Sequence, residues 1–156
     1  LNPVKIKIAG RTRSFINAFG EELMVYNADH AIAEAQRVTG AQVLNYTAAP
    51  VYAAEGRKGR HQWLIEFAKP PRSLDQFADA LDASLRAVNS DYDAKRSGDI
   101  FLDRPAIVEA RVGLFDEWLA RDGGKLGGQR KIPRLSNDRS VIDPMLILNR
   151  PMPSGK

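Results

Sequence analysis

The segment Gly124-Lys125-Leu126-Gly127-Gly128-Gln129-Arg130-Lys131-Ile132-Pro133-Arg134-Leu135-Ser136-Asn137 carries four cations on a glycine-hinged loop of low apolar content. Cationic side chains on a backbone that glycines leave free to bend are suited to meet an anion. Between Arg121 and Arg139 six basic residues (Arg121, Lys125, Arg130, Lys131, Arg134, Arg139) stand against Asp122 and Asp138; six minus two leaves an excess of four, the formal net charge of the whole chain. Acids and bases balance elsewhere, so the basic character belongs to one segment. A local phosphate is therefore the expected partner, rather than the polyanion that a globally cationic surface attracts.

A second segment, Gly10-Arg11-Thr12-Arg13-Ser14-Phe15-Ile16-Asn17-Ala18-Phe19-Gly20-Glu21-Glu22-Leu23, places basic and acidic residues around two glycines. Taken alone it reads as a turn and bulge with solvated charges. The chain has no cysteine, and its two histidines, His30 and His61, lie 31 positions apart. Neither a disulfide framework nor a metal site of recognisable spacing is predicted.

The elements that must position these segments follow from periodicity. Val4, Ile6 and Ile8 alternate with Lys5 and Lys7 as in a half-buried strand, and Phe15 to Val25 is a second extended region broken at Gly20. From Asn27 as N-cap, Ala28, Ala31, Ile32, Ala35 and Val38 share one helical face, and Gly40 closes the helix. Gln42 to Thr47, stopping at Pro50, and His61 to Phe67 read as two strands of a hairpin across the charged turn Gly56 to Arg60. Ser73 and Gln76 form a capping box for a helix that turns Leu74, Phe77, Ala78, Leu81, Leu85 and Val88 inward. Asn89 to Gly98 reads as a polar segment, and Ile107 to Val112 as a strand. A short helix with Phe115, Trp118 and Leu119 follows, ended by Gly123-Gly124 just before the basic loop.

These elements predict an α+β fold, a mixed β-sheet with two long helices packed on one face. At 156 residues one domain is expected, burying roughly 70% of its unfolded surface. No apolar run approaches the roughly 18 residues of a membrane span. The N-terminus lacks an initiator Met and the apolar block of a signal peptide, and reads as a cut inside a longer chain. Residues 1–143 are expected to form the domain, with 1–23 at its hinge side, and 144–156 a mobile tail.

Five blocks carry a resemblance in order from about Ile8 to Arg139: Phe15-Ile16-Asn17-Ala18-Phe19-Gly20-Glu21-Glu22-Leu23, Asn45-Tyr46-Thr47-Ala48-Ala49-Pro50, His61-Gln62-Trp63-Leu64-Ile65-Glu66-Phe67, Asn89-Ser90-Asp91-Tyr92-Asp93-Ala94-Lys95-Arg96, and Gly124 to Arg134. Together they resemble the small C-terminal domain of adenylate-forming ligases. They are closest to the bacterial form of the Gretchen Hagen auxin-responsive family of acyl acid amido synthetases. That resemblance implies a cytoplasmic parent that activates a carboxylic acid with ATP as an acyl-adenylate and passes the acyl group to an amine, commonly an amino acid. It also implies an N-terminal domain, absent from this chain, that binds ATP, Mg²⁺ and most of the acyl group. This chain would then be only the mobile lid, inactive by itself.

By the same resemblance Lys131 is the lid cation, with Lys125 as its rival, and Gln129 and Arg134 lie on the nucleotide side. Both lysines also fit solvated surface charges. Arg11 and Arg13 match the hinge side, where they would contact nucleotide or act as a pivot; Arg13-Ser14 departs from the acidic or lysine pivot common in such ligases. Glu21 and Glu22 suit either an acceptor-amine passage or a salt bridge within the domain. His61 is expected to be structural, Trp118 to be core, and Tyr92 with Lys95 and Arg96 to cap the second helix or face the missing domain. Two alternatives stand beside this reading: the lid of an acyl-coenzyme A ligase, and a non-catalytic α+β module that binds phosphate or RNA through the basic loop.

Overall fold

The computed structural model describes residues 14–54, 56–97, 102–122 and 131–150. A short hairpin comes first, β1 (Phe15–Ile16) antiparallel to β2 (Leu23–Met24). Helix α1 (Val25–Thr39) runs directly into β3 (Gln42–Val51), which pairs antiparallel with β4 (Arg60–Lys69). Then come α2 (Leu74–Val88), α3 (Ser90–Arg96), β5 (Ala106–Ala110), α4 (Leu114–Asp122) and α5 (Ile142–Asn149). Strand β5 pairs parallel with β4, giving a mixed sheet of order β3-β4-β5.

The alternation of β4 separates two cores. Trp63, Ile65 and Phe67 point to the face covered by α1 and α2, where Ala28, Ala31, Ile32 and Ala35 meet Phe77, Leu81 and Leu85. Leu64 points the other way, into a smaller cluster with Leu114, Phe115, Trp118, Ile142 and Met145. The two long helices thus share one face, as their periodicity predicts, and two shorter helices cover the opposite face. On the first face Phe67 and Phe77 meet edge to face, their centroids 5.3 Å apart.

Several boundaries differ from the sequence reading. Helix α1 starts two residues before Asn27, because the Asn27 side chain works from inside the first turn: its Oδ1 accepts from the Met24 N–H at 3.0 Å. Val38, assigned to the inner face, is 60% exposed. Strand β3 continues through Pro50 to Val51. The segment after Asn89 is a helix, not an irregular stretch: the Asn89 side chain accepts from the Tyr92 N–H at 2.8 Å, and Asp91 and Asp93 lie in its first turn with Lys95 and Arg96 in its last. Val112 falls outside β5 and is exposed. Helix α5 occupies the beginning of the stretch read as a tail, burying Ile142 and Met145. The strand expected over Val4 to Ile8 lies outside the described residues.

Candidate functional site

The end of the basic segment is fastened along the free edge of β3. Ala48 N–H donates to the Arg134 carbonyl at 2.8 Å and the Ser136 N–H donates back to the Ala48 carbonyl at 3.1 Å, a parallel bridge centred on Leu135. Beside it the Thr47 hydroxyl donates to the Pro133 carbonyl at 2.7 Å. Leu135 is fully buried in the main core, while Ile132 packs against the smaller cluster. The segment is therefore gripped from both faces of the sheet around the edge strand.

The cations of this segment divide by environment. Arg139 is structural: it donates to the Pro50 carbonyl at 3.1 Å, to Gln62 Oε1 at 2.6 Å and to Asp143 Oδ1 at 2.9 Å. Arg134 is exposed, yet its guanidinium lies 3.3 Å from Asp29 Oδ2. The other Asp29 oxygen accepts from the Tyr46 hydroxyl at 2.6 Å. Burial first, and then that carboxylate, push the Tyr46 phenol far above its ordinary value. Arg121 lies 4.0 Å from Glu117. Lys131 is exposed and has no hydrogen-bond or ion-pair partner among the described residues. Its main chain is two residues from the fastened carbonyl of Pro133.

Lys125 and Gln129, like Arg11 and Arg13, lie outside the described residues. The two segments singled out in the sequence nonetheless meet: the Asn17 N–H, on the β1–β2 hairpin, donates to Asn137 Oδ1 at 2.7 Å. Asp138 then turns the chain toward α5, and two hydrogen bonds from Ser140 hold its carboxyl below the usual range.

Glu21 takes the structural of its two readings. It is fully buried, with Oε2 2.6 Å from His61 Nε2 and Oε1 accepting from the Phe19 N–H at 2.7 Å. The pair ties the hairpin to the start of β4, between the rings of Phe19 and Tyr92. Glu22 is exposed, and its backbone occupies positive φ, 43°. Tyr92 and Arg96 converge on Asp82 of α2: the Tyr92 hydroxyl donates at 2.7 Å, and the Arg96 guanidinium donates to both carboxylate oxygens at 2.8 Å. Burial, and then Asp82, raise the Tyr92 phenol well above its ordinary value. That family-like block is thus a brace for the second helix.

Trp63, Phe67 and Phe77 are buried and both sheet faces are covered, which leaves no open aromatic platform for RNA among the described residues. No group of three or more His, Asp or Glu among those residues could hold a metal ion. None of the helices described is long and apolar enough to cross a membrane.

Thr47, Asp29, Asn17 and Asn137 were not singled out by sequence reasoning. A threonine in a strand reads as a β-former, and its partner Pro133 is 86 residues away. Only the position of Thr47 inside one of the resembling blocks marks it in the sequence.

The chain is thus an α+β domain, a mixed three-stranded sheet with two long helices on one face and the end of the basic segment fastened to its edge, which is the fold of a GH3 C-terminal domain. A family model described as the GH3 family C-terminal domain matches residues 26–140, and the chain belongs to that family. Among solved structures it is similar to one described as GH3.15 acyl acid amido synthetase, with TM-score 0.69 at 18% identity over 92% of this chain. A second, AtGH3.15 acyl acid amido synthetase in complex with 2,4-DB, superposes with the same TM-score at 17% identity. The chain spans 28% of the length of each of these structures. No curated protein matches it.

Proposed function

We propose that this domain is the mobile lid of an ATP-dependent acyl acid amido synthetase, and that Lys131 is the cation it delivers to the reacting phosphates. In the first half-reaction a substrate carboxylate oxygen attacks the α-phosphorus of ATP; the new O–P bond forms as the bond to pyrophosphate breaks. Negative charge accumulates on both the α-phosphate and the leaving group, and a preorganised ammonium offsets it. In the second half-reaction an amine, such as that of an amino acid, attacks the acyl carbon and expels AMP. Closure of a lid over the acyl-adenylate also excludes the water that would hydrolyse it.

The observation that carries this reading is the contrast among the described cations of the basic segment. Arg139 is consumed by the fold, and Arg134 and Arg121 have acidic neighbours. Lys131 alone among them has no partner among the described residues, on a loop whose base is fastened to β3. Pro133 fixes φ two residues further on, which limits the loop's freedom where a side chain must be aimed. Lys125 is retained as the second lysine, and Arg11, Arg13, Gln129 and Arg134 as residues of the hinge and nucleotide side. Their roles, a bacterial origin and a cytoplasmic location rest on the resemblance of the five blocks. ATP, Mg²⁺ and the acyl group are assigned mainly to the N-terminal domain. Mg²⁺ in such sites is bound largely through substrate phosphates.

The full-length protein, given a library of carboxylic acids, releases pyrophosphate with at least one of them, while this chain alone releases none. Addition of amino acids then yields amides, and addition of coenzyme A yields no thioester. Thioester without amide would replace the amine by a thiol as the acceptor.

A further inference from the structure

We infer that Thr47 is a positioning residue for the Lys131 loop, an inference that rests on the lid-cation reading above. Thr47 is 1% exposed, and its hydroxyl donates to the Pro133 carbonyl at 2.7 Å. Two neighbouring bonds, Ala48 N–H to the Arg134 carbonyl and Ser136 N–H to the Ala48 carbonyl, run between backbone groups and do not depend on side-chain identity. Of the side-chain ties between this segment and β3, the Thr47 bond is the one nearest Lys131, gripping the chain two residues from it, whereas the Arg139 bond to the Pro50 carbonyl lies eight residues away. Pro133 has no N–H, so its carbonyl is the only backbone polar group through which that residue can be held. The Arg134–Asp29 pair is no substitute, because both side chains are about half exposed, 53% and 48%, and exposed pairs constrain little.

The physical consequence is asymmetric. Losing one neutral hydrogen bond to the half-buried Pro133 costs folding modestly, but a displacement of about 1 Å at a reacting group can cost ~10²-fold in rate. A residue that merely supports the fold would give the opposite balance. Thr47→Val keeps the shape and the strand preference of the side chain and removes only the donor; Thr47→Ser restores the donor and removes the methyl.

The test measures ATP–pyrophosphate exchange by the full-length protein with an acid it activates. Thr47→Val lowers kcat about tenfold or more with little change in the KM for ATP or in the unfolding midpoint, and Thr47→Ser recovers most of the rate. In a Lys131→Ala background, Thr47→Val adds less than about twofold, because the group it positions is already gone. An unchanged kcat in Thr47→Val, an equal loss with and without Lys131, or a failure of Thr47→Ser to recover the rate would each overturn the inference. If the valine variant does not fold, Thr47→Cys, a weaker donor of similar size, gives an intermediate rate, and a rate equal to the parent's would overturn it. Failure of the lid-cation reading is seen separately, as an unimpaired Lys131→Ala enzyme; loss of rate in Lys131→Ala with none in Thr47→Val leaves that reading intact and removes only this one.

Discussion

Removing the Arg96 guanidinium strands a buried carboxylate, and the cost follows from the geometry. Asp82 and Arg96 side chains are each 11% exposed, and the guanidinium meets both carboxylate oxygens at 2.8 Å while also reaching the Leu102 carbonyl at 3.2 Å. In Arg96→Met the charge of Asp82 keeps, among the described residues, only the Tyr92 hydroxyl as a side-chain hydrogen-bond partner, and breaking a buried pair on one side costs about 3–5 kcal/mol. The residual exposure lets some water in, so about 3 kcal/mol is expected. For a chain of this length that lowers the thermal midpoint by roughly 6–12 °C. The triple variant Asp82→Leu, Arg96→Met, Tyr92→Phe removes all three polar groups together and recovers stability to within about 1 kcal/mol of the parent, because desolvation and attraction nearly cancel in an intact pair. Thermal and urea unfolding of the 156-residue chain read both numbers. A loss below about 1 kcal/mol in Arg96→Met, the range of solvent-screened surface pairs, would refute the reasoning.

Two further predictions concern the same core. Tyr46 and Tyr92 both have raised folded-state values, so their stabilising contribution is complete below about pH 10 and is lost as pH rises above it and the unfolded chain ionises first. Tyr46→Phe and Tyr92→Phe accordingly leave the tyrosinate absorbance of the folded protein near pH 11 undiminished, and each makes alkaline unfolding less steep; a drop in that absorbance would contradict the burial argument. A Cβ at Gly59 would fall on the ring of Phe19 and lie 3.2 Å from the Val51 carbonyl. Gly59→Ala is thus expected to cost about 1–3 kcal/mol by overpacking, with a smaller penalty in a Phe19→Ala background; urea midpoints of the two pairs should be non-additive.

Helix α2 was legible in the sequence because its capping serine and its apolar spacing agree, and the Ser73 hydroxyl does accept from the Gln76 N–H at 3.1 Å. The hairpin of β3 and β4 was legible from its β-branched and aromatic residues and from the charged turn between them. Helix α3 was not, since seven mostly polar residues with one buried side chain, Tyr92, offer no period to detect; what forms it is the Asn89 cap and an aspartate on another helix. Helix α5 was missed for the opposite reason, as a short apolar run following Asp143-Pro144 has no polar face to set its phase. At the candidate site the sequence singled out the basic segment and Lys131 as candidates, but the fastening of that segment to β3 depends on contacts between residues more than 80 positions apart, which no local pattern encodes. The same holds for the Asn17–Asn137 contact that joins the β1–β2 hairpin to the end of the basic segment.

Whether Lys131 acts on the phosphates undergoing transfer is read by single-turnover adenylation of the full-length protein, comparing Lys131→Ala with Arg134→Ala. The account predicts that Lys131→Ala loses ~10²-fold or more in the adenylation rate, the cost of one preorganised charge donor, with ATP binding retained. Arg134→Ala, whose partner is Asp29 and whose proposed place is on the nucleotide side, should weaken ATP binding and lose much less in the adenylation rate itself. A Lys131→Ala enzyme that adenylates at the parent rate would contradict the account and leave Lys131 a surface charge.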